Sequence, residues 1–191
     1  MKYFIIFGPP GAGKGTHAGA ITERYNLKHI STGELLRAEI AAGTPLGLKA
    51  KDLIAAGSLV PDEVVEGMIE NAFYTIKGFD GFLLDGFPRT LAQARALDSI
   101  LAARGEKVSA VIAIMIPDSV IRTRIAHRAQ IEGRADDASD EIITNRIQTY
   151  HAQTEPLIEY YKGAGCYHEV QGDPGTIEEV RERILRLTDT L

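Results

Sequence analysis

Short continuous apolar runs alternate along the chain with longer stretches in which apolar positions recur every three to four residues. Tyr3–Phe7, Gly81–Asp85 and Ser109–Ile116 are runs of the first kind and predict buried strands. His29–Ile30 and Tyr167–Val170 are shorter and weaker ones. The second rhythm predicts helices from about Lys14 to Tyr25 and near 33–42, 46–56, 62–76, 90–103, 118–129, 139–162 and 176–189. Several carry start signals: Asp62 after Pro61, Thr90 after Arg89, Asp118 after Pro117 and Thr176 after Gly175. Strands that are apolar throughout are covered on both faces, so the expected fold is α/β, a parallel sheet between helical layers. The stretch 31–75 holds helices only and is too long for one crossover, which predicts a small lobe. Residues 130–138 are polar and predict a surface loop interrupting two helices.

Length and composition narrow the picture. A chain of 191 residues forms one domain with at most small insertions, and 45% apolar residues supply its core. Cys166 is the one cysteine, which excludes an internal disulfide and a multi-cysteine zinc cluster; it reads as a small core residue. A net charge of −5 argues against nucleic-acid binding by bulk charge. The N-terminal apolar run ends at Gly8 and Pro9, too soon for a secretory signal, and nothing approaches 18 consecutive apolar residues. A soluble cytoplasmic protein with no nucleic-acid or membrane partner is expected. The basic residues are skewed, 13 Arg against 8 Lys. Arginine is the residue of flat, forked recognition of phosphate and carboxylate.

Two motifs carry chemistry. Gly8-Pro-Pro-Gly-Ala-Gly-Lys-Gly-Thr16 follows a predicted strand and opens a predicted helix. Glycines let backbone N–H groups wrap phosphate oxygens without Cβ interference, the helix N-terminus adds positive charge, and Lys14 reaches the outer phosphates. The strict phosphate-loop pattern places Ser or Thr directly after the lysine; here Gly15 intervenes before Thr16. The second motif, Phe82-Leu-Leu-Asp-Gly-Phe-Pro-Arg89, is an apolar strand ending in a carboxylate. Beside a phosphate loop, Asp85 is placed to orient Mg²⁺ through water. Arg89 lies beyond it on a loop at the same end of the sheet, where it can hold a second anion. A hydrolase needs no such site, so Arg89 favours a kinase with an anionic acceptor.

These segments resemble adenylate kinases, of the nucleoside monophosphate kinase family. Besides 8–16, the resemblance rests on Ser-Thr-Gly-Glu-Leu-Leu-Arg at 31–37, Asp-Gly-Phe-Pro-Arg-Thr-Leu-Ala-Gln at 85–93, Gly-Arg-Ala-Asp-Asp at 133–137 and Thr-Glu-Pro-Leu-Ile-Glu-Tyr-Tyr at 154–161. It spans nearly the whole chain. It implies a P-loop NTPase-type five-stranded parallel sheet with helices on both faces. The implied core is 1–30, 61–124 and 139–191, with an NMP-binding lobe at about 31–60 and a short lid at about 125–138. The implied activity is transfer of the terminal phosphoryl of MgATP to AMP, giving two ADP, by a monomer with no structural zinc. Carried over residue by residue, Gly11, Ala12, Gly13, Lys14, Gly15 and Thr16 hold the donor phosphates, and Arg124 lies against the adenine of ATP. Arg37 and Arg89 clamp the AMP phosphate. Thr32 and Gln93 meet the adenine edge, with Leu59, Val60 and Gly86 lining the same pocket. Arg128, Arg134 and Arg146 converge on the transferring group, with Asp136 and Asp137 orienting the lid arginines. Asp137 to Arg146 is one residue longer than the family's usual spacing, and Arg146 is the arginine available for its role.

Outside the motifs the readings are plainer. Arg122, Arg181, Arg183 and Arg186 sit at helical spacing and read as solvated faces. His17, His29, His127, His151 and His168 show no ligand spacing and read as structural or surface residues, His127 lying near a lid hinge. Two rival functions stand beside the first: a UMP/CMP kinase of the same fold, which typically carries Asn directly after the arginine where Thr90 stands here, and a non-catalytic P-loop nucleotide-binding module.

Overall fold

The computed structural model describes the backbone of residues 1–191 and every side chain except that of Ala135. Five strands, β1 (Lys2–Phe7), β2 (Leu27–Ser31), β3 (Gly81–Asp85), β4 (Ala110–Met115) and β5 (Tyr167–Gln171), form one parallel sheet in the order β2-β3-β1-β4-β5. The helices are α1 (Lys14–Tyr25), α2 (Thr32–Ala41), α3 (Pro45–Ala55), α4 (Asp62–Thr75), α5 (Leu91–Ala102), α6 (Asp118–Glu132), α7 (Asp140–Thr149), α8 (Leu157–Gly163) and α9 (Ile177–Thr188). Among the described residues no helix is long and apolar enough to cross a membrane.

The central strand β1 shows why its sequence is apolar throughout. Successive side chains of a strand point to opposite faces. Tyr3, Ile5 and Phe7 therefore join one core with Phe73 of α4, Leu97 of α5 and Tyr161 of α8. Phe4 and Ile6 join the other with Ile21 of α1, Ile125 of α6 and Ile184 of α9. All five are buried, and each contributes about 1.5–3 kcal/mol relative to exposure. The edge strands β2 and β5 bury fewer side chains, and their sequences are correspondingly mixed.

Each predicted helix start lies within one residue of an observed one. Thr90 and Thr176 are N-caps of α5 and α9, accepting from Gln93 N and Glu179 N, while α4 and α6 begin at Asp62 and Asp118. Two other expectations need correction. The helix predicted over 139–162 divides into α7, a π-helical turn at Tyr150–Thr154, and α8. Glu155 N donates to Tyr150 O over 2.8 Å, five residues back, and Pro156 brings no N–H to continue the ladder. The predicted loop at 130–138 is partly helical: α6 runs on to Glu132 and stops at Gly133, which adopts a left-handed conformation, and a 3₁₀ turn follows at Ala135–Asp137. This segment is not a free surface loop. Asp136 and Asp137 are buried.

Parallel register brings the carboxyl end of β3 beside that of β1, Asp85 facing Ile6, and the end of β2 beside it, Ser31 facing Asp85. The loops that leave these three strands therefore open on one crevice, where ligands of open α/β sheets bind.

Candidate functional site: a cleft walled by arginines

The crevice is a cleft of about 850 Å³, towards the upper end of the ~300–1,000 Å³ usual for small-molecule sites. Its floor is the loop between β1 and α1. Gly8 presses against β4: a Cβ there would lie 2.3 Å from the Ile114 carbonyl oxygen. Gly13 is the N-cap of α1 with φ 90°, a left-handed conformation that costs glycine nothing. Gly11, Gly13, Lys14, Gly15 and Thr16 line the cleft. Ala12 does not. Its side chain is buried in the core, and its N–H donates to Pro9 O over 3.1 Å, closing the tight turn. That N–H is therefore engaged within the loop itself.

Lys14 Nζ folds back over the loop and donates to Gly8 O at 2.9 Å and Pro9 O at 3.0 Å. Burial, opposed by Asp85 and reinforced by Arg89, Arg146 and Arg128, lowers its pKa from 10.5 to about 8. Asp85 is buried at the end of β3. Burial pushes its carboxyl upward, but a hydrogen bond from His29 and the charges of Lys14 and Arg89 overcome this and hold it below the ordinary carboxylate range. His29 Nε2 lies 3.4 Å from Asp85 Oδ2. Nothing in the sequence marked His29; the register of β2 on β3 brings it there.

The opposite walls carry the arginines. Arg89 Nε donates to Gly86 O at 2.8 Å, and Thr154 Oγ1 donates to Arg89 O at 2.8 Å. Burial lowers the pKa of Arg89, Arg37 and Arg146 alike, and in each case a neighbouring arginine lowers it further. Arg128 holds Asp137 with two hydrogen bonds, of 2.8 and 2.9 Å. Arg146 reaches Asp136 Oδ2 at 2.9 Å and also pairs with Asp137. Asp136 and Asp137 lie in the 3₁₀ turn before α7, and the two acids hold two arginines in place. Arg134 pairs with Glu132. Arg124 donates to Gly172 O at 2.9 Å, beside Asp173 at 3.5 Å.

Thr32, Leu59, Val60, Gly86 and Gln93 line the cleft between α2 and α5. Thr32 Oγ1 donates to Gly86 O at 2.9 Å. His17, read from sequence as a structural or surface residue, is buried in the cleft wall beside Gly13, its Nδ1 without a partner among the described residues. Burial, then the charges of Arg181 and Arg124, hold its pKa below the ordinary histidine value. Arg122 and Arg186 are exposed and pair with Asp140 and Glu182. Arg183, read as a solvated face, donates to Gln171 O at 3.0 Å and Pro174 O at 3.1 Å, and so ties the loop after β5 to α9.

Chemically, Lys14, Arg89, Arg128 and Arg146 repel one another across a partly enclosed space, and a polyanion between them relieves that repulsion. Comparison with known proteins agrees. The family model described as adenylate kinase matches residues 6–166. An adenylate kinase of Bacteroides fragilis is 44% identical over 191 residues, the whole of both chains. One from Leptospira biflexa is 45% identical over 186 residues, 97% of this chain and 99% of its own. One from Xanthomonas campestris is 46% identical over 180 residues, 94% and 95% of the two chains. With a phosphate loop facing an arginine wall across one cleft, and with likeness of that extent, the chain belongs to the adenylate kinase family.

Proposed function

We propose that this chain reversibly transfers the terminal phosphoryl group of MgATP to AMP, giving two ADP, and so balances the adenine nucleotides. The observation that carries the reading is geometric: the phosphate loop with Lys14 shares one cleft with Arg37, Arg89, Arg128 and Arg146. In this reading the amides of Gly11, Gly13, Gly15 and Thr16 and the Lys14 ammonium hold the donor phosphates, with Arg124 against the donor base. Arg37 and Arg89 clamp the acceptor phosphate by paired forks that fix its direction as well as its charge. Thr32, Leu59, Val60, Gly86 and Gln93 receive the acceptor base.

An oxygen of the AMP phosphate attacks the terminal phosphorus of ATP, and the bond from that phosphorus to the bridging oxygen breaks, leaving ADP on each side. The attacking oxygen is already anionic, so no strong general base is required. Catalysis consists of alignment and of stabilising charge spread over the transferring group, the task given to Lys14, Arg89, Arg128, Arg134 and Arg146. Helices α2 and α3, within about 31–60, form the acceptor lobe, and 125–138 form a short lid that closes to exclude water. Both substrate sites belong to one chain, and the reading takes the protein as a monomer of the cytoplasm.

Asp85 fits a magnesium ion delivered with the donor nucleotide. Its carboxylate is held ionised by Lys14 and Arg89, and among the described residues its side-chain hydrogen-bond partner is His29. Among the described residues no group of three or more His, Cys, Asp or Glu is placed to hold a metal. In this reading magnesium would keep several waters and share the phosphates. When bound, magnesium neutralises charge on the donor phosphates. The testing experiment is a coupled assay of ADP formation from MgATP with AMP, UMP, CMP and GMP side by side. Turnover with AMP far above the others is expected; equal or greater turnover with UMP or CMP would favour a pyrimidine kinase, and none with any acceptor a binding module.

A further inference from the structure

Gln93 is 2% exposed, yet it lines the cleft, and both ends of its amide are engaged from behind. Arg89 N donates to Gln93 Oε1 at 2.7 Å, and Gln93 Nε2 donates to Asp62 Oδ1 at 2.8 Å. Chemistry fixes which atom is which. A backbone N–H can only donate, so oxygen must face Arg89; a carboxylate can only accept, so nitrogen must face Asp62. Turning the amide over would set donor against donor at one end and acceptor against acceptor at the other. Asp62 is itself anchored, because Thr90 Oγ1 donates to its two oxygens at 3.2 and 3.3 Å, while Gln93 N donates to Thr90 Oγ1 at 3.1 Å. Asp62 does not line the cleft.

We infer that Asp62 is a positioning residue that locks the amide of Gln93 in one orientation and thereby sets which acceptor bases the cleft accepts. This rests on the proposed function and deepens it. With one lone pair and one hydrogen committed behind, the amide keeps one acceptor and one donor for the base. That pair complements an exocyclic amino group next to an unprotonated ring nitrogen, as in adenine. It opposes a carbonyl next to a ring N–H, as in hypoxanthine, guanine and uracil. Cytosine has the accepted pattern, so the lock sorts bases by hydrogen-bond polarity and leaves ring size to the walls of the pocket.

The test uses the full chain, wild type and Asp62→Asn, with MgATP and either AMP or inosine monophosphate as acceptor. Asparagine keeps the shape of aspartate but can also donate, so the contact behind Gln93 Nε2 no longer dictates the amide's orientation and only the Arg89 N–H still opposes a turn. The AMP over inosine monophosphate ratio of kcat/KM is expected to fall by about threefold to tenfold. KM for AMP should rise more than kcat falls, and KM for ATP should not change. A merely structural role at the start of α4 would lower Tm and leave the ratio alone. Asp62→Leu removes the acceptor entirely; if it does not fold, Asp62→Asn still decides. A wild-type chain that prefers AMP, with an Asp62→Asn chain that keeps the same ratio, would overturn the lock only. A wild-type chain that does not phosphorylate AMP would overturn the proposed function and the lock together.

Discussion

The phosphate loop and the arginine wall face each other across one cleft and are built by opposite means. The loop is local: nine consecutive residues, Gly8–Thr16, that run from the end of β1 into the first turn of α1, shaped by glycines and by backbone hydrogen bonds such as Ala12 N to Pro9 O. The wall is assembled from α2, the loop after β3, α6 and α7, and its arginines of α6 and α7 are held by carboxylates, Asp137 taking Arg128 and, with Asp136, Arg146. A site made of backbone is rigid because its geometry is covalently continuous. A site made of ion pairs is rigid only while each partner stays. The loop should therefore lose function without losing stability when its side chain is changed, and the wall should lose both.

Lys14→Met gives the largest effect expected. Turnover should fall about a thousand-fold, since a charge aimed at the transferring group is gone. The Tm should not fall, because the side chain removed is a partly buried cation whose charged form is disfavoured in the folded chain. A near-wild-type rate in a steady-state assay would break the comparison on the loop side. Asp137→Asn tests the wall. It leaves Arg128 and Arg146 facing each other with a weaker acceptor between them, and should lower stability by about 2–3 kcal/mol in denaturant unfolding, along with turnover. A variant as stable as wild type would show that the wall does not depend on its acids.

Acidity sharpens the contrast further. In the free chain Lys14 loses its proton near pH 8, whereas bound phosphates favour the charged form. Affinity for ATP should be full below about pH 8 and fall by up to about tenfold per unit above it, measured as kcat/KM for ATP against pH. For folding the sign is reversed: between about 8 and 10.5 the unfolded chain binds the proton that the folded one has released, so stability rises with pH. A profile flat from pH 7 to 10 would remove Lys14 from phosphate binding. Hydrogen exchange compares the two walls directly. A bisubstrate analogue should slow exchange several-fold in 31–60 and 125–138 through closure, and less in the core helices; no change in either segment would exclude closing lobes. Arg186→Ala is the smallest. Its pair with Glu182 is exposed, so stability should move by less than about 0.5 kcal/mol and turnover not at all.

Strands β1, β3 and β4 were legible because both faces of each are covered, which makes the sequence apolar throughout. Strands β2 and β5 were only half legible, since edge strands carry mixed residues. The π-helical turn at Tyr150–Thr154 was invisible: a ladder that slips by one residue leaves no mark in periodicity, and only Pro156 hinted at an interruption. Within the site, the glycines, Lys14, Asp85 and Arg89 could be read from local spacing. His29, His17 and Asp62 could not, because each matters through a neighbour distant in sequence: Asp85 on the adjacent strand, Arg181 and Arg124 on α9 and α6, Gln93 on α5.

By itself, then, the sequence determined the order of strands and helices, the phosphate loop and the residues that could carry charge, all of which depend on neighbours a few positions apart. The tertiary structure alone decided that the Ala12 amide is spent on the turn, that Asp136 and Asp137 are buried, and that the Gln93 amide presents one defined edge. Hydrogen-bond partners and burial are set by groups that the chain brings together only on folding, and no local pattern can encode which of several donors will arrive.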